Sequence, residues 1–226
     1  EEIRQRVAEG RIEIVGGWWI QPDCNLPGGE SFVRQGLYGQ HYFMEKFGVR
    51  AAAGYNVDSF GHNGMLPQIL SKMGLKYYVF MRPNHTEKDL PRLFHWESGD
   101  GSRVLAYRIP FRYQTWGHEL RDHIVMCADA AEREHEKEIM CFYGVGNHGG
   151  GPTIQNIEQI RQLNAEGGEK PELVFSTPGR YFASMERRRT DLPVVREDLL
   201  HHASGCYAVH SGIKRWNREA EHLLMT

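Results

Sequence analysis

The sequence predicts an α/β fold with a largely parallel sheet, either open or closed into a barrel. Three observations predict it. Short apolar runs alternate with longer stretches of helical periodicity. Most of those runs stand singly between helical stretches, the spacing that crossover connections require. Gly, Pro, Asn and Asp gather where the apolar runs end, which marks the loops.

Taken in order, a helix over 1–9 precedes a strand at 11–15, "RIEIV". A second helix, about 30–47, repeats Phe32, Leu37, Tyr38, Tyr42, Phe43 and Phe47 at helical intervals until Gly48 stops it. A strand near 50–57 runs into Asp58. Next come a helix at 65–73 and the strand "KYYVFM", 76–81. Residues 93–97 and 103–109 form a hairpin across "SGDGS", whose Asp-Gly is a turn signal. A long helix at 118–136, a strand at 138–145 ("EIMCFYGV"), the turn "GNHGGGPT" and a helix at 154–165 follow. "PELVFST", 171–177, is a further strand, and "PGRYFASMERRR" a further helix. The chain opens on helix-like "EEIRQRVAEG" and stops within helix-like "IKRWNREAEHLLMT", so it is expected to be a piece of something longer.

Composition narrows the function classes. The 226 residues suit one large α/β domain or two small ones, and 40 % hydrophobic with 25 % charged residues describes a soluble globular protein. A net charge of −2 supplies no basic field, which argues against nucleic acid or acidic lipid as a partner. No stretch approaches a membrane span and no signal peptide is visible, so a cytoplasmic location is expected. Cys24, Cys127, Cys141 and Cys206 contain no CxxC spacing. That argues against a disulfide framework or a thiolate zinc site, and fits a reducing compartment.

In such folds the loops after the strand ends build the site. Those loops are 18–29, 58–64, 82–92, 110–117 and 146–153. Asp58 ends an apolar run and is followed by Ser59, Phe60, His62 and Asn63. A carboxylate there is costly unless a cap, a metal or a reaction uses it. An acid at a strand end beside an aromatic is what a glycosidase nucleophile needs. Asp23 is a second carboxylate on the same rim, or the acceptor of an Asx turn. Trp18 and Trp19 are sugar-stacking faces or core. Arg82 has a fork of donors for a carboxylate or sugar hydroxyl, the alternative being a surface arginine. Tyr113 and Trp116 are subsite residues or ordinary packing. The glycine-rich turn lacks both the P-loop ending and the GxGxxG spacing, and directs Asn147 and His148 into the site. "HHASGCYAVHSG", 201–212, holds three His without a metal-ligand spacing.

Together these segments resemble glycoside hydrolase family 38, the zinc-dependent α-mannosidases. The resemblance runs through "EGRIEIVGGWWIQPDCNLPGGESFVRQGLYGQHYFMEKFG", "NVDSFGHNGMLPQILSKMGLKYYVFMR", "FHWESGDGSRVLAYRIP", "GNHGGGPT" and "CYAVHSGIKRWNREAEHLL". It implies an incomplete, distorted (β/α)7-type barrel of the glycoside hydrolase/deacetylase kind, running into a helical bundle. Residues 1–200 would belong to the catalytic domain, and 201–226 to its end and the first helix of the bundle. It also implies a retaining α-mannosidase, acting on a terminal α-mannoside or oligosaccharide, with oligomers possible in the full-length protein.

By the same resemblance Asp58 is the nucleophile and one ligand of a Zn2+ ion. Phe60 and Arg82 line the same subsite, with Trp18, Trp19, Asn147 and Tyr113 as further substrate-binding residues. Two departures stand out. The other zinc ligands of the family, a His-x-Asp pair and a His-Asp motif, do not occur in this chain and are expected outside it. Where many relatives carry an acid in the glycine-rich loop, reading GDGGGG, this chain has "GNHGGG". Asn147 has no usable acidity, so the general acid/base is expected to be His148, Asp23 or a residue outside this chain. A metal-dependent carbohydrate deacetylase and a non-enzymatic sugar-binding module are the other readings.

Overall fold

The computed structural model describes residues 1–146, 149–167, 171–200 and 210–225. Its elements, in chain order, are α1 (Glu2–Ala8), α2 (Gly29–Phe47), β1 (Ala53–Asn56), α3 (Leu66–Lys72), β2 (Tyr77–Phe80), β3 (Leu93–Glu97) and β4 (Arg103–Arg108). After a short 3-10 turn, Gly117–Glu119, come α4 (Leu120–Arg133), α5 (Ile154–Glu166), α6 (Pro178–Arg188), β5 (Val194–Val195) and α7 (Ser211–Met225).

The strands make one mixed sheet in the order β1-β2-β4-β3-β5. β1, β2 and β4 run parallel, β3 is antiparallel to β4, and β5 lies parallel to β3. The hairpin forms across "SGDGS": Glu97 pairs with Arg103, and Asp100 Oδ1 accepts the Ser102 N–H at 3.0 Å. All four residues of β2 are buried, as expected of a strand covered on both faces. Tyr78 and Phe80 pack with Leu66, Leu70, Phe94 and Trp96 on one face. Tyr77 and Val79 pack with Tyr107, Phe182 and Met185 on the other, where Tyr77 stacks on Phe182 with centroids 4.5 Å apart.

The sheet is open, and the described strands do not close a barrel. Three segments expected as strands join no ladder. In 11–15, Ile14 and Val15 do pack against opposite core clusters, as a strand's side chains would. The link to β1 is the Gly16 N–H to the Ala53 carbonyl at 2.7 Å, and left-handed Gly16 (φ 96°) and Gly17 (φ 75°) then turn the chain. In 138–145, the Tyr107 phenol takes the place of a ladder partner. It accepts from the Met140 N–H at 3.0 Å and donates to the Met140 carbonyl at 3.2 Å. In 171–177, the Asn164 side-chain amide satisfies both backbone groups of Leu173, at 3.0 and 2.8 Å.

The aromatic repeat of α2 is not its buried stripe. Phe32 is buried, but Leu37, Tyr38 and Tyr42 are exposed, and Gly36, Gly39 and Gln40 face inward. Gly39 lets the helix lie against the 17–18 backbone, since a Cβ there would sit 2.6 Å from the Gly17 carbonyl oxygen. α7 docks by Glu221, whose carboxylate accepts the Gly28 N–H at 2.9 Å and the Ser31 hydroxyl at 2.8 Å.

Candidate active site

Parallel register brings the two central side chains together. Asn56 of β1 lies opposite Phe80 of β2. Adjacent strands are about 4.8 Å apart, so the residues two positions beyond each also leave the sheet side by side. Those residues are Asp58 and Arg82. Arg82 Nη2 donates to Asp58 Oδ1 at 3.1 Å, and its guanidinium lies over the Phe60 ring, 4.9 Å from the centroid. Asp58 and Phe60 both remain open, with 47 % of the Asp58 side chain and 40 % of Phe60 exposed. The result is a carboxylate fixed through one oxygen, flanked by a ring face, at the carboxyl ends of parallel strands.

Tyr113, from the loop after β4, stands close to this carboxylate. Its hydroxyl is pushed above the usual range by burial and by the neighbouring Asp58 charge.

Behind this pair sits His62, fully buried. Its Nε2 lies 2.9 Å from the Arg82 carbonyl and its Nδ1 2.8 Å from the Tyr78 hydroxyl. A neutral ring satisfies both by donating from Nε2 and accepting at Nδ1. Burial holds the ring neutral, lowering its pKa to about 4 against the opposing effects of the Arg82 carbonyl and the Asp23 charge. The 58–64 loop is also fastened to Leu199 by reciprocal backbone bonds at His62, 3.1 and 2.9 Å.

Asp23 stands on the same rim because its loop is tied to the 58–64 loop. Asn63 Nδ2 donates to the Cys24 carbonyl at 2.6 Å, and Asn25 Nδ2 to the Gly61 carbonyl at 3.2 Å. Asp23 Oδ1 itself closes a turn, accepting the N–H groups of Asn25 and Leu26, each at 2.9 Å. The adjacent tryptophans part company. Trp18 is 4 % exposed and donates its indole N–H to Asn56 Oδ1 at 2.7 Å, inside the core, whereas Trp19 is 56 % exposed and meets Tyr42 edge-on. Trp116 is exposed and starts the 3-10 turn before α4. Asn147 and His148 lie outside the described residues. Their flanks are anchored: Val145 N–H donates to Gly151 O at 2.9 Å, and Thr115 N–H to Gly144 O at 2.8 Å.

The described residues around Asp58 do not complete a zinc site. Among them the group of His, Cys, Asp or Glu side chains able to share a cation is His123, Cys127 and Cys141, with ligand atoms within 4.8 Å of one another. Asp58 is not part of it. Spacing rules do not register this cluster, because they see only ligands close in sequence. His123 and Cys127 did carry a signal, being four residues apart on one helix.

Comparison with known proteins follows the same geometry. Residues 1–204 match the description "Glycosyl hydrolases family 38 N-terminal domain". The chain belongs to glycosyl hydrolase family 38. Within the family it is 34 % identical over 224 residues to alpha-mannosidase G of Dictyostelium discoideum, covering 98 % of this chain and 20 % of that protein. It is 31 % identical over 232 residues to alpha-mannosidase 2C1 of Homo sapiens, covering 98 % of this chain and 22 % of that one. The chain thus spans about a fifth of the length of these curated relatives. In fold it is similar to an alpha-mannosidase from Enterococcus faecalis V583, with a TM-score of 0.68 at 23 % identity over 87 % of this chain and 23 % of that one. A 4-alpha-glucanotransferase from Thermococcus litoralis also shares the fold, with a TM-score of 0.60 at 16 % identity over 88 % of this chain and 30 % of that one. No helix among the described residues is long and apolar enough to cross a membrane.

Proposed function

We propose that this chain is the nucleophile-bearing part of a retaining α-mannosidase. The observation that carries the reading is the Asp58 carboxylate, held at one oxygen by Arg82 and backed by Tyr113, with the Phe60 ring beside it. The other carboxylate oxygen attacks the anomeric carbon, forming a C1–O bond as the bond to the leaving oxygen breaks. That leaving oxygen takes a proton from the general acid, which is His148, Asp23 or a residue elsewhere in the protein. The same group, now a base, removes a proton from water, which displaces Asp58 and restores the anomeric configuration. Arg82 and Tyr113 orient the carboxylate and disperse its charge, and Phe60 offers a face to the sugar ring.

The family resemblance adds a Zn2+ ion with Asp58 as one ligand, which would polarise and position sugar hydroxyls. Asp58 belongs to no three-ligand group among the described residues, so ligands that complete the site are proposed to come from other parts of the protein. Trapping tests the reading. A 5-fluoro-mannosyl fluoride should label the intact enzyme on the peptide containing Asp58. A label on another carboxylate, or steady turnover with no adduct as in an ester or amide hydrolase, would overturn it.

A further inference from the structure

His123 and Cys127 stand four residues apart on α4, so one helix face presents both. Cys141 arrives from the 138–145 segment, which the Tyr107 phenol anchors at Met140. One His123 ring nitrogen and the two sulfurs lie within 4.8 Å of one another, and Cys127 Sγ is 3.9 Å from His123 Nε2. A tetrahedral zinc ion would set a sulfur and a nitrogen about 3.5 Å apart and two sulfurs about 3.8 Å apart. The cluster is therefore close to that geometry before any side chain moves.

The polarity of the pocket favours a ligand. His123 and Cys127 are buried, and Cys141 is half-buried, which leaves one side for entry. His123 Nε2 pairs with the Phe142 carbonyl at 3.0 Å, while Nδ1 is buried without a hydrogen-bond partner. Either tautomer leaves the ring one partner short, an unusual cost for a buried polar group. Softness decides which ligand suits the group: two thiols and an imidazole select thiophilic d10 cations over Ca2+ or Mg2+.

The geometry points to a thiolate–imidazole site for one Zn2+ ion, held by His123, Cys127 and Cys141 and separate from the Asp58 carboxylate. The Phe142 carbonyl or a water would fill the fourth position. Binding releases the two thiol protons to solvent and forms two metal–sulfur bonds and one metal–nitrogen bond, with no change of oxidation state. Its role is structural. The ion staples α4 to the segment that runs into the glycine-rich loop.

Cobalt substitution of the intact protein tests it. After chelation and reduction, added Co2+ should produce a sulfur-to-cobalt charge-transfer band, which oxygen and imidazole ligands do not give. Asp58→Ala should keep the band. Cys127→Ser with Cys141→Ser should abolish it and lower bound zinc by about one equivalent. Cys141→Ser alone, at the half-buried position, should weaken the band at least several-fold in a protein whose circular dichroism is unchanged. No band in the reduced wild type overturns the proposal. So does a band that survives in the double variant, which would place the thiolate at Cys24 or Cys206. Recovery of a Cys127–Cys141 disulfide that takes up no cobalt once reduced also overturns it.

Discussion

His62 Nε2 donates to the main-chain carbonyl of Arg82 at 2.9 Å, and Arg82 reaches back to Asp58 Oδ1 at 3.1 Å. His62 and Asp58 share one loop, so this circuit ties the end of β1 to the end of β2 through both backbone and side chain. The ring is packed edge-on against Tyr78, Phe80 and Trp96, so it has no room to release its grip. A half-exposed carboxylate is thereby positioned from the core.

That circuit makes stability pH-dependent in a stated window. The folded His62 titrates near pH 4 and an unfolded histidine near 6.5. The unfolded chain therefore binds the proton first as the pH falls. The stabilisation is present in full above pH 6.5, declines between 6.5 and about 4, and amounts to about 3 kcal/mol at most. Urea midpoints at pH 7.5 and 4.5 measure it. His62→Gln should be less stable at pH 7.5 and lose less on acidification. An unchanged pH slope in that variant would place the titration on another group.

The nucleophile and its arginine should separate by magnitude. In the intact enzyme, Asp58→Ala should lower kcat about 10⁴-fold or more on every mannoside, since no other group makes the glycosyl bond. Arg82→Ala should cost about 10²–10³-fold. Arg82→Lys should fall between wild type and alanine, because the charge remains while the fork and the Phe60 contact are lost. Arg82→Lys indistinguishable from wild type would mean that charge alone suffices.

Tyr113→Phe removes the hydroxyl beside Asp58 and leaves the ring. It should lower kcat about 10-fold with little change in melting temperature. Because Arg82 and Tyr113 serve the same carboxylate, the double variant Arg82→Ala with Tyr113→Phe should depart from additivity by 1 kcal/mol or so. Strict additivity would show that they act separately.

The acid/base assignment rests on leaving-group dependence. Protonation matters most for a poor leaving alcohol and little for an activated phenol. If His148 is the acid/base, His148→Ala should keep the glycosylation step on an activated aryl mannoside, accumulate the covalent intermediate, and turn over again in azide. If Asp23 serves, that pattern moves to Asp23→Ala. Wild-type rates in both variants on a disaccharide would put the proton donor elsewhere in the protein.

Gly39→Ala tests the packing of α2. An alanine in mid-helix ordinarily stabilises by up to about 1 kcal/mol. Here the added methyl meets the Trp18 backbone and the Gly17 carbonyl, so the sign should reverse, to a loss of about 1–3 kcal/mol in thermal or urea unfolding. A gain would mean that the helix and the 17–18 backbone separate without cost.

Local chemistry made much of this legible in the sequence. "KYYVFM" is apolar throughout because β2 is covered on both faces, and "SGDGS" turns because Asp100 closes it. Asp58 and Arg82 stood out because each follows an apolar run into a polar loop, and parallel register does the rest. Partners from distant segments decided what remained. Whether an extended run becomes a strand depends on a neighbour's free backbone. At 138–145 and 171–177 the side chains of Tyr107 and Asn164 supplied those hydrogen bonds instead. Trp18 and Trp19 are adjacent and identical in chemistry. Asn56, on a strand 38 positions away, drew one indole into the core, and the other was left on the surface. Cys141 likewise meets His123 and Cys127 only because the sheet and α4 pack its segment beside them. Sequence periodicity reports which residues share a face of their own element, whereas burial and pairing are set by what the rest of the chain places opposite that face.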